Sequence, residues 1–153
     1  MIKKNLDVVF VVFYNHQALK KSLITLKDFF QNSEYFVNIV IFDNSNDYKL
    51  ANDFELFCKE LEENLNIKYI FSQINFGFGG GCNRAAKTMN SEFILFLNCD
   101  TSFKKSSLKE FETMLKYCSI SSPIVGPKII DENGLANSSC FSFDPISIFL
   151  KPI

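Results

Sequence analysis

Asp7 is followed by seven apolar residues, Val8-Val9-Phe10-Val11-Val12-Phe13-Tyr14, rich in β-branched and aromatic side chains and without polar alternation. Such a run is the pattern of a strand buried on both faces, so the chain must supply cover for two sides of a sheet. The next segments do so. Leu19, Leu23, Leu26 and Phe30 recur at helical spacing with lysines between them and predict an amphipathic helix. A second buried strand is predicted over 36–42, ending in the polar cluster Asp43-Asn44-Ser45-Asn46-Asp47. Leu50, Phe54, Phe57, Leu61 and Leu65 mark one face of a second helix, and 67–71 reads as a third strand. A glycine-rich loop, Asn75-Phe76-Gly77-Phe78-Gly79-Gly80-Gly81, then feeds a short helix over 82–89. A fourth strand over 93–97 runs into Asn98-Cys99-Asp100-Thr101. Ser106 or Ser107 is placed to cap a helix whose face carries Leu108, Phe111, Leu115 and Cys118. A short strand over 124–130 leads to Asp131-Glu132-Asn133-Gly134, where Asn-Gly signals a tight turn.

Strands alternating with helices predict an α/β fold with a mostly parallel sheet and helices on both faces. Ligands of such sheets sit beyond the carboxyl ends of the strands. Tyr14, Asn15, Asp43, the glycine loop and Asp100 all fall just past predicted strand ends, so one edge gathers them. At 153 residues, 47% hydrophobic and 22% charged, the chain has the size and composition of one globular domain with a full core. The 18 phenylalanines, with no tryptophan, are read as core filler. A net charge of −1 with scattered basic residues does not make the continuous positive surface that a nucleic acid requires. Cys58, Cys82, Cys99, Cys118 and Cys140 form no C-x-x-C pair, and their odd number fits reduced thiols in a cytosolic compartment. Lys3 and Lys4 before an apolar run suggest a leader peptide, but Asp7 interrupts the flank and no small-residue cleavage site follows. No apolar stretch approaches the ~20 residues that span a bilayer. The chain is therefore expected in the cytoplasm, with work at a membrane surface left to a partner or a further segment.

The glycine loop fails the G-x-G-x-x-G spacing in both registers, because Cys82 or Arg84 stands where the third glycine belongs, and no Gly-Lys-Ser/Thr follows it. Two readings remain: a backbone that approaches an anion closely beside a helix N-terminus, or a tight strand-to-helix turn. Asn98, Asp100 and Thr101 offer oxygen ligands suited to a hard divalent cation that also binds diphosphate, or they form an Asx turn or cap. Asp43 either accepts hydrogen bonds from the imide or amide of a pyrimidine base or ties down its own loop. Arg84 can fork onto a phosphate or lie on a helix surface. His16, in the loop after the first strand, is expected to cap or face solvent.

Five segments, taken in order, resemble the family 2 glycosyltransferases of GT-A fold, especially their rhamnosyltransferase-like branch. They are Val11-Val12-Phe13-Tyr14-Asn15, Ile41-Phe42-Asp43-Asn44-Ser45, the stretch from Asn75 through the glycines to Cys82-Asn83-Arg84-Ala85-Ala86, Phe96-Leu97-Asn98-Cys99-Asp100-Thr101, and Ile124-Val125-Gly126-Pro127-Lys128-Ile129. The resemblance implies that Asp43 binds the nucleotide base, that Tyr14 and Asn15 help form its pocket, and that Asn75, Gly77 and Asn83 shape the donor site with Arg84. It implies that Asp100 binds Mg2+ or Mn2+, assisted by Asn98 in the first position of a D-x-D-like motif. Cys99 replaces the proline of the related Asn-Pro-Asp form.

The implied reaction is inverting transfer of a sugar from dTDP-rhamnose or a UDP-sugar to a saccharide or lipid-linked acceptor in surface polysaccharide synthesis. A general base is expected downstream of the metal motif. Glu110, Glu112, Asp131, Glu132 and Asp144 stand in no matching motif, so residues 1–153 are expected to be the nucleotide-sugar-binding part of a domain truncated at its C-terminus. The alternative is a non-catalytic nucleotide-sugar-binding module that needs a partner chain. A nucleotidyltransferase has a similar sheet, but its N-terminal phosphate loop is absent here.

Overall fold

Four strands, β1 (Lys4–Val12), β2 (Tyr35–Asp43), β3 (Asn66–Phe71) and β4 (Phe93–Leu97), form one sheet in the order β3-β2-β1-β4, with every neighbouring pair parallel. The structure is a computed structural model and describes residues 4–61, 65–121, 124–131 and 133–137, the side chains of 119–121 excepted. The chain divides into two compact units, Met1–Leu108 and Lys109–Ile153, and the sheet belongs to the first. Parallel neighbours need crossovers. Here these are the helices α1 (His16–Phe30), α2 (Tyr48–Leu61) and α3 (Gly77–Ala86).

The central strand β1 is buried without interruption from Leu6 to Val12, as its unbroken apolar run predicts. Val9 and Val11 face α3 and pack in one cluster with Val40, Phe42, Cys82 and Ala85. Alternation along a strand sends Val8, Phe10 and Val12 to the other face. On that face α1 and α2 make contact: His16 bonds to Asp43, and Phe54 of α2 lies against Tyr69 of β3. Leu19, Leu23, Leu26 and Phe30 of α1 are all buried, as their spacing predicts. Helices therefore cover both faces of the sheet.

Several boundaries differ from expectation. In α2 the buried stripe is Ala51, Phe54 and Cys58, while Leu65 lies outside the helix, buried just before β3. The glycine stretch is not a loop that feeds a helix. It is the first half of α3 itself, which ends at Ala86. Gly81 explains the composition: a Cβ there would sit 2.8 Å from Val11 Cγ1 and 3.3 Å from Phe42 Cδ1, so only glycine lets α3 lie this close to β1 and β2. Ser106 and Ser107 lie within a 3-10 turn, Lys105–Ser107, that runs into α4 (Leu108–Ser121).

In the second unit, Phe111 and Leu115 of α4 are buried. Only β5 (Ile129–Ile130) of the strand expected over 124–130 forms, paired antiparallel with β6 (Ala136–Asn137). Pro127 has no N–H to give to a ladder and Gly126 weakens a strand, so pairing begins after them. The predicted turn is present. Asp131 Oδ1 accepts the N–H groups of Asn133 and Leu135, and Gly134 takes φ +81°. Glu132, Cys140 and Asp144 lie outside the described residues; the other four cysteines are free thiols. Among the described residues no helix is long and apolar enough to cross a membrane.

A polar row crosses the amino end of the sheet. Asp7, buried in β1, accepts Asn38 Nδ2 at 2.8 Å and the N–H groups of Asn90 and Ser91 at 3.1 and 2.9 Å, and Asn66 Nδ2 donates to Asn38 Oδ1 at 2.8 Å. One carboxylate thus joins β1, β2 and the approach to β4. Burial pushes the Asp7 carboxyl up, but the hydrogen bonds from Ser91, Asn38 and Asn90 outweigh it and hold it below its usual range. A lowered carboxyl stabilises the fold above its unfolded pKa and loses that contribution as pH falls through the folded value. Asp7→Asn should therefore flatten the acid limb of a stability-against-pH curve from urea melts; an unchanged limb would exclude this role. Gly81→Ala should destabilise by about 1–3 kcal/mol through overpacking, read in the same melts.

Candidate functional site at the carboxyl edge of the sheet

Because the strands are parallel, β1, β2 and β4 all end on one edge, with Val12 paired to Asp43 and Phe10 to Leu97. The segments leaving them are tied together by backbone. Asn44 N–H donates to Val12 O at 2.9 Å and Ser72 N–H to Asp43 O at 2.8 Å. Tyr14, Asn15, Asp43, Asn75, Gly77, Asn98 and Asp100 lie at or just past the strand ends on this edge, while Asn83 and Arg84 lie further along α3, and they are not equivalent.

Asp43, the last residue of β2, is 0% exposed. Its Oδ2 accepts His16 Nε2–H at 2.7 Å and the Tyr69 hydroxyl, and its Oδ1 accepts Ser45 N–H at 2.8 Å. Burial raises the Asp43 carboxyl, yet the bonds from His16, Tyr69 and Ser45 prevail and keep it below its usual range. Burial and the neighbouring Asp43 push Tyr69 far above the usual phenol range, so it stays a donor. In this structure the carboxylate thus faces protein donors and has no surface open to a base. His16 also departs from expectation. It is the first residue of α1, buried, with its ring edge-on to Phe54 at 4.9 Å. A lone histidine after a strand carried no signal for this pairing, because its partner lies 27 residues away.

Asn44 is a second residue the sequence did not single out. Buried beside Asp43, it accepts Phe76 N–H at 3.1 Å and donates to Gly77 O at 3.0 Å, which fixes the start of α3 to the end of β2. Asn75 Oδ1 accepts Gly77 N–H at 2.8 Å, and Gly77 takes φ +69°, a conformation natural to glycine. Asn83 and Arg84 are exposed on α3. The Arg84 guanidinium stacks 3.3 Å over the Phe76 ring and donates to Gly80 O at 3.2 Å, which leaves further N–H groups of the fork facing outward.

Tyr14 is 56% exposed, edge-on to Phe13 at 4.7 Å, and holds φ +56°, a left-handed backbone that is rare and strained for a bulky residue. Asn15 precedes α1 but makes no side-chain cap. Its side chain lies near enough to the Cys99 thiol to lower it slightly, against burial, so the β1 exit lies beside the Asn98-Cys99-Asp100 turn. That turn closes through Thr101 N–H to Asn98 O at 3.2 Å. Burial and the adjacent Asp100 push the Cys99 thiol up, so the loop's negative charge belongs to Asp100.

Asp100 and Asn98 are exposed. Among the described residues no group of three or more His, Cys, Asp or Glu gathers to hold a metal unaided. One free carboxylate beside an amide oxygen suits a hard cation that takes its remaining oxygens from a ligand. A cavity of about 350 Å³ lies elsewhere, at the amino end of the sheet beside Asp7 and Asn38. Glu110 and Glu112 lie in α4, and Asp131 holds its own turn.

A parallel α/β sheet with this polar edge belongs to a class of fold whose ligands sit beyond the carboxyl ends of the strands, and comparison with known proteins narrows it. The family model of Glycosyl transferase family 2 matches residues 8–125, and the chain belongs to that family. The fold is GT-A-like. The crystal structure of TarS residues 1–349 from S. aureus superposes with a TM-score of 0.59 at 20% identity, over 84% of this chain and 40% of that one. The same protein in complex with UDP-GlcNAc gives 0.58 at 23%, over 75% and 32%. The mannosyltransferase PcManGT from Pyrobaculum calidifontis, in complex with GDP-Man and Mn2+, gives 0.63 at 10%, over 78% and 33%. The chain thus spans about a third to two fifths of the length of these solved structures. No curated protein gives a significant match.

The strain at Tyr14 is testable without a ligand. Tyr14→Gly should be more stable than Tyr14→Ala by about 1 kcal/mol in urea melts, because glycine alone relieves the left-handed backbone. Equal stability of the two variants would show that φ relaxes at no cost.

Proposed function

We propose that this chain is the nucleotide-sugar-binding part of a glycosyltransferase that moves a sugar from a nucleoside diphosphate donor to a saccharide or lipid-linked acceptor, with inversion. The observation that carries this reading is the gathering, at one sheet edge, of exposed Tyr14, Asn15, Asn75, Asn98 and Asp100, with Arg84 stacked on Phe76, in a member of glycosyl transferase family 2. Tyr14 and Asn15 line the base and ribose side. Asn75, Gly77, Asn83 and Arg84 frame the donor, with the guanidinium fork placed for a diphosphate oxygen. Asp100, with Asn98, would hold Mg2+ or Mn2+, and the bound ion supplies charge that stabilises the departing diphosphate. The UDP, UDP-GlcNAc and GDP-Man complexes of the structural neighbours support a nucleotide-sugar donor. For this chain we favour a UDP-sugar or dTDP-rhamnose, used in surface polysaccharide assembly in the cytoplasm or at the inner face of the membrane.

A second reading is a binding module that transfers sugar only with a partner chain supplying the acceptor half and the general base. Incubating the purified chain with labelled donors and lipid-linked acceptors separates the two, since turnover by the chain alone sinks the module. Calorimetric titration with UDP and dTDP, with and without Mn2+, tests the site common to both. Asp100→Ala should remove the metal-dependent part of the affinity and leave the rest. Unchanged metal dependence in that variant would refute the metal assignment.

A further inference from the structure

We infer that the amino end of the sheet, opposite the proposed donor edge, is a second binding site and that its ligand is a saccharide. Helix α3 ends at Ala86 and covers the apolar pairs Val9 with Val40 and Val11 with Phe42, and Met89 packs against the same cluster. Beyond these pairs the same face of the sheet opens as a cavity of about 350 Å³, within the size range of small-ligand pockets. Its polar wall is built from Asn5 and Asp7 of β1, Asn38 of β2, Asn66 and Lys68 of β3, and Asn90 of the segment entering β4.

Asp7 fixes how this wall is presented. A carboxylate only accepts, so Asn38 must turn its Nδ2 toward Asp7, as it does at 2.8 Å. Asn38 Oδ1 is then left to accept Asn66 Nδ2, also at 2.8 Å. Asn66 is exposed, and its carbonyl oxygen ends the chain of amides as an open acceptor. Each of these two amides keeps a second N–H. Beside them, the side chains of Asn5, Asn90 and Lys68 make no hydrogen bond or ion pair among the described residues. The polar row that orders this end of the sheet therefore leaves three of the cavity's polar side chains unused.

The chemistry of the wall selects the ligand. Neutral amides that offer a donor beside an acceptor match sugar hydroxyls, which donate and accept at once. A polyanion would need several cations, and the lining holds one, Lys68. An apolar ligand would bury the amides unpaired, at a cost. Strand register supplies a stacking surface as well. Asn5 pairs with Phe36 and Asp7 with Asn38, so Phe36 stands on the same face as Asn38, one row nearer the start of β2, and is 49% exposed. The negative face of its ring attracts the slightly positive C–H groups on the flat side of a pyranose. Asp7 and Val12 lie five residues apart on β1, a distance of about 17 Å along a strand. In the transfer reaction proposed above, the saccharide held here would be a distal part of the acceptor glycan; the binding itself does not depend on that reaction.

Side-chain amide resonances test the site on the intact chain. Nitrogen-edited NMR spectra should be recorded during titration with chitotriose, cellotriose and mannotriose, with glycerol as a polyol control. The side-chain amide peaks of Asn5, Asn66 and Asn90 should shift with at least one saccharide, with a dissociation constant in the millimolar range, and should not follow glycerol. Phe36→Ala and Asn66→Ala should each weaken that affinity about tenfold, the size of losing one good contact, and leave UDP affinity in the presence of Mn2+ unchanged. Phe36→Leu, which keeps an apolar side chain without the ring, should bind as weakly as Phe36→Ala and excludes loss of fold as the cause. Asp100→Ala should leave the saccharide shifts intact.

The inference is overturned by the absence of shifts with all three saccharides, by equal shifts with glycerol, by wild-type affinity in the Phe36 and Asn66 variants, or by shifts that vanish in Asp100→Ala. A wild type that binds saccharide here but not UDP refutes the function proposed above and leaves this site standing. The reverse result removes this site alone.

Discussion

The carboxylate of Asp43 is the interaction on which the functional edge is built. It terminates the second strand, and its backbone carbonyl and side chain together fasten Ser72 after β3, Ser45 in the next turn, Tyr69 within β3 and His16 at the head of α1. A buried charge costs heavily unless it is paired and hydrogen-bonded. Asp43 meets that condition with three donors from three separate parts of the chain. The neighbouring Asn44 extends the same knot to the first turn of α3. Strand ends, two helix starts and the intervening turns are thereby held in one arrangement, with the exposed polar residues at its rim.

The sheet has a counterpart at its other end. Asp7 also sits buried on a strand and also accepts several hydrogen bonds, but its partners are the asparagine of the adjacent strand and the backbone that enters β4. One carboxylate orders each end of the sheet. The carboxyl end adds exposed side chains from loops, as expected for a parallel sheet whose loops carry function while strands and helices supply rigidity.

Glycines divide between two duties in α3. Gly77 serves conformation, through its positive φ at the helix start. Gly81 serves packing, since a methyl group would collide with Val11 and Phe42. A glycine-rich stretch that reads as a loop is therefore a helix pressed onto the sheet, and its low intrinsic propensity is overridden by contact with the core.

Much of this was legible in the sequence. Unbroken apolar runs can be satisfied only by two-sided burial, and helical spacing of leucines can be satisfied only by one-sided cover, so alternation of the two determined a parallel sheet with helices on both faces. The order of Tyr14-Asn15, Asp43, the glycines and Asn98-Cys99-Asp100 past successive strands determined that they share an edge. What tertiary structure alone decided was which of these residues face outward. Asp43 and Asp100 look alike in sequence, each an aspartate closing an apolar strand. One is engulfed by His16 and Tyr69, which lie 27 and 26 residues away, and the other stays open at the rim. Burial and pairing of that kind depend on contacts between distant segments, and no local pattern encodes them.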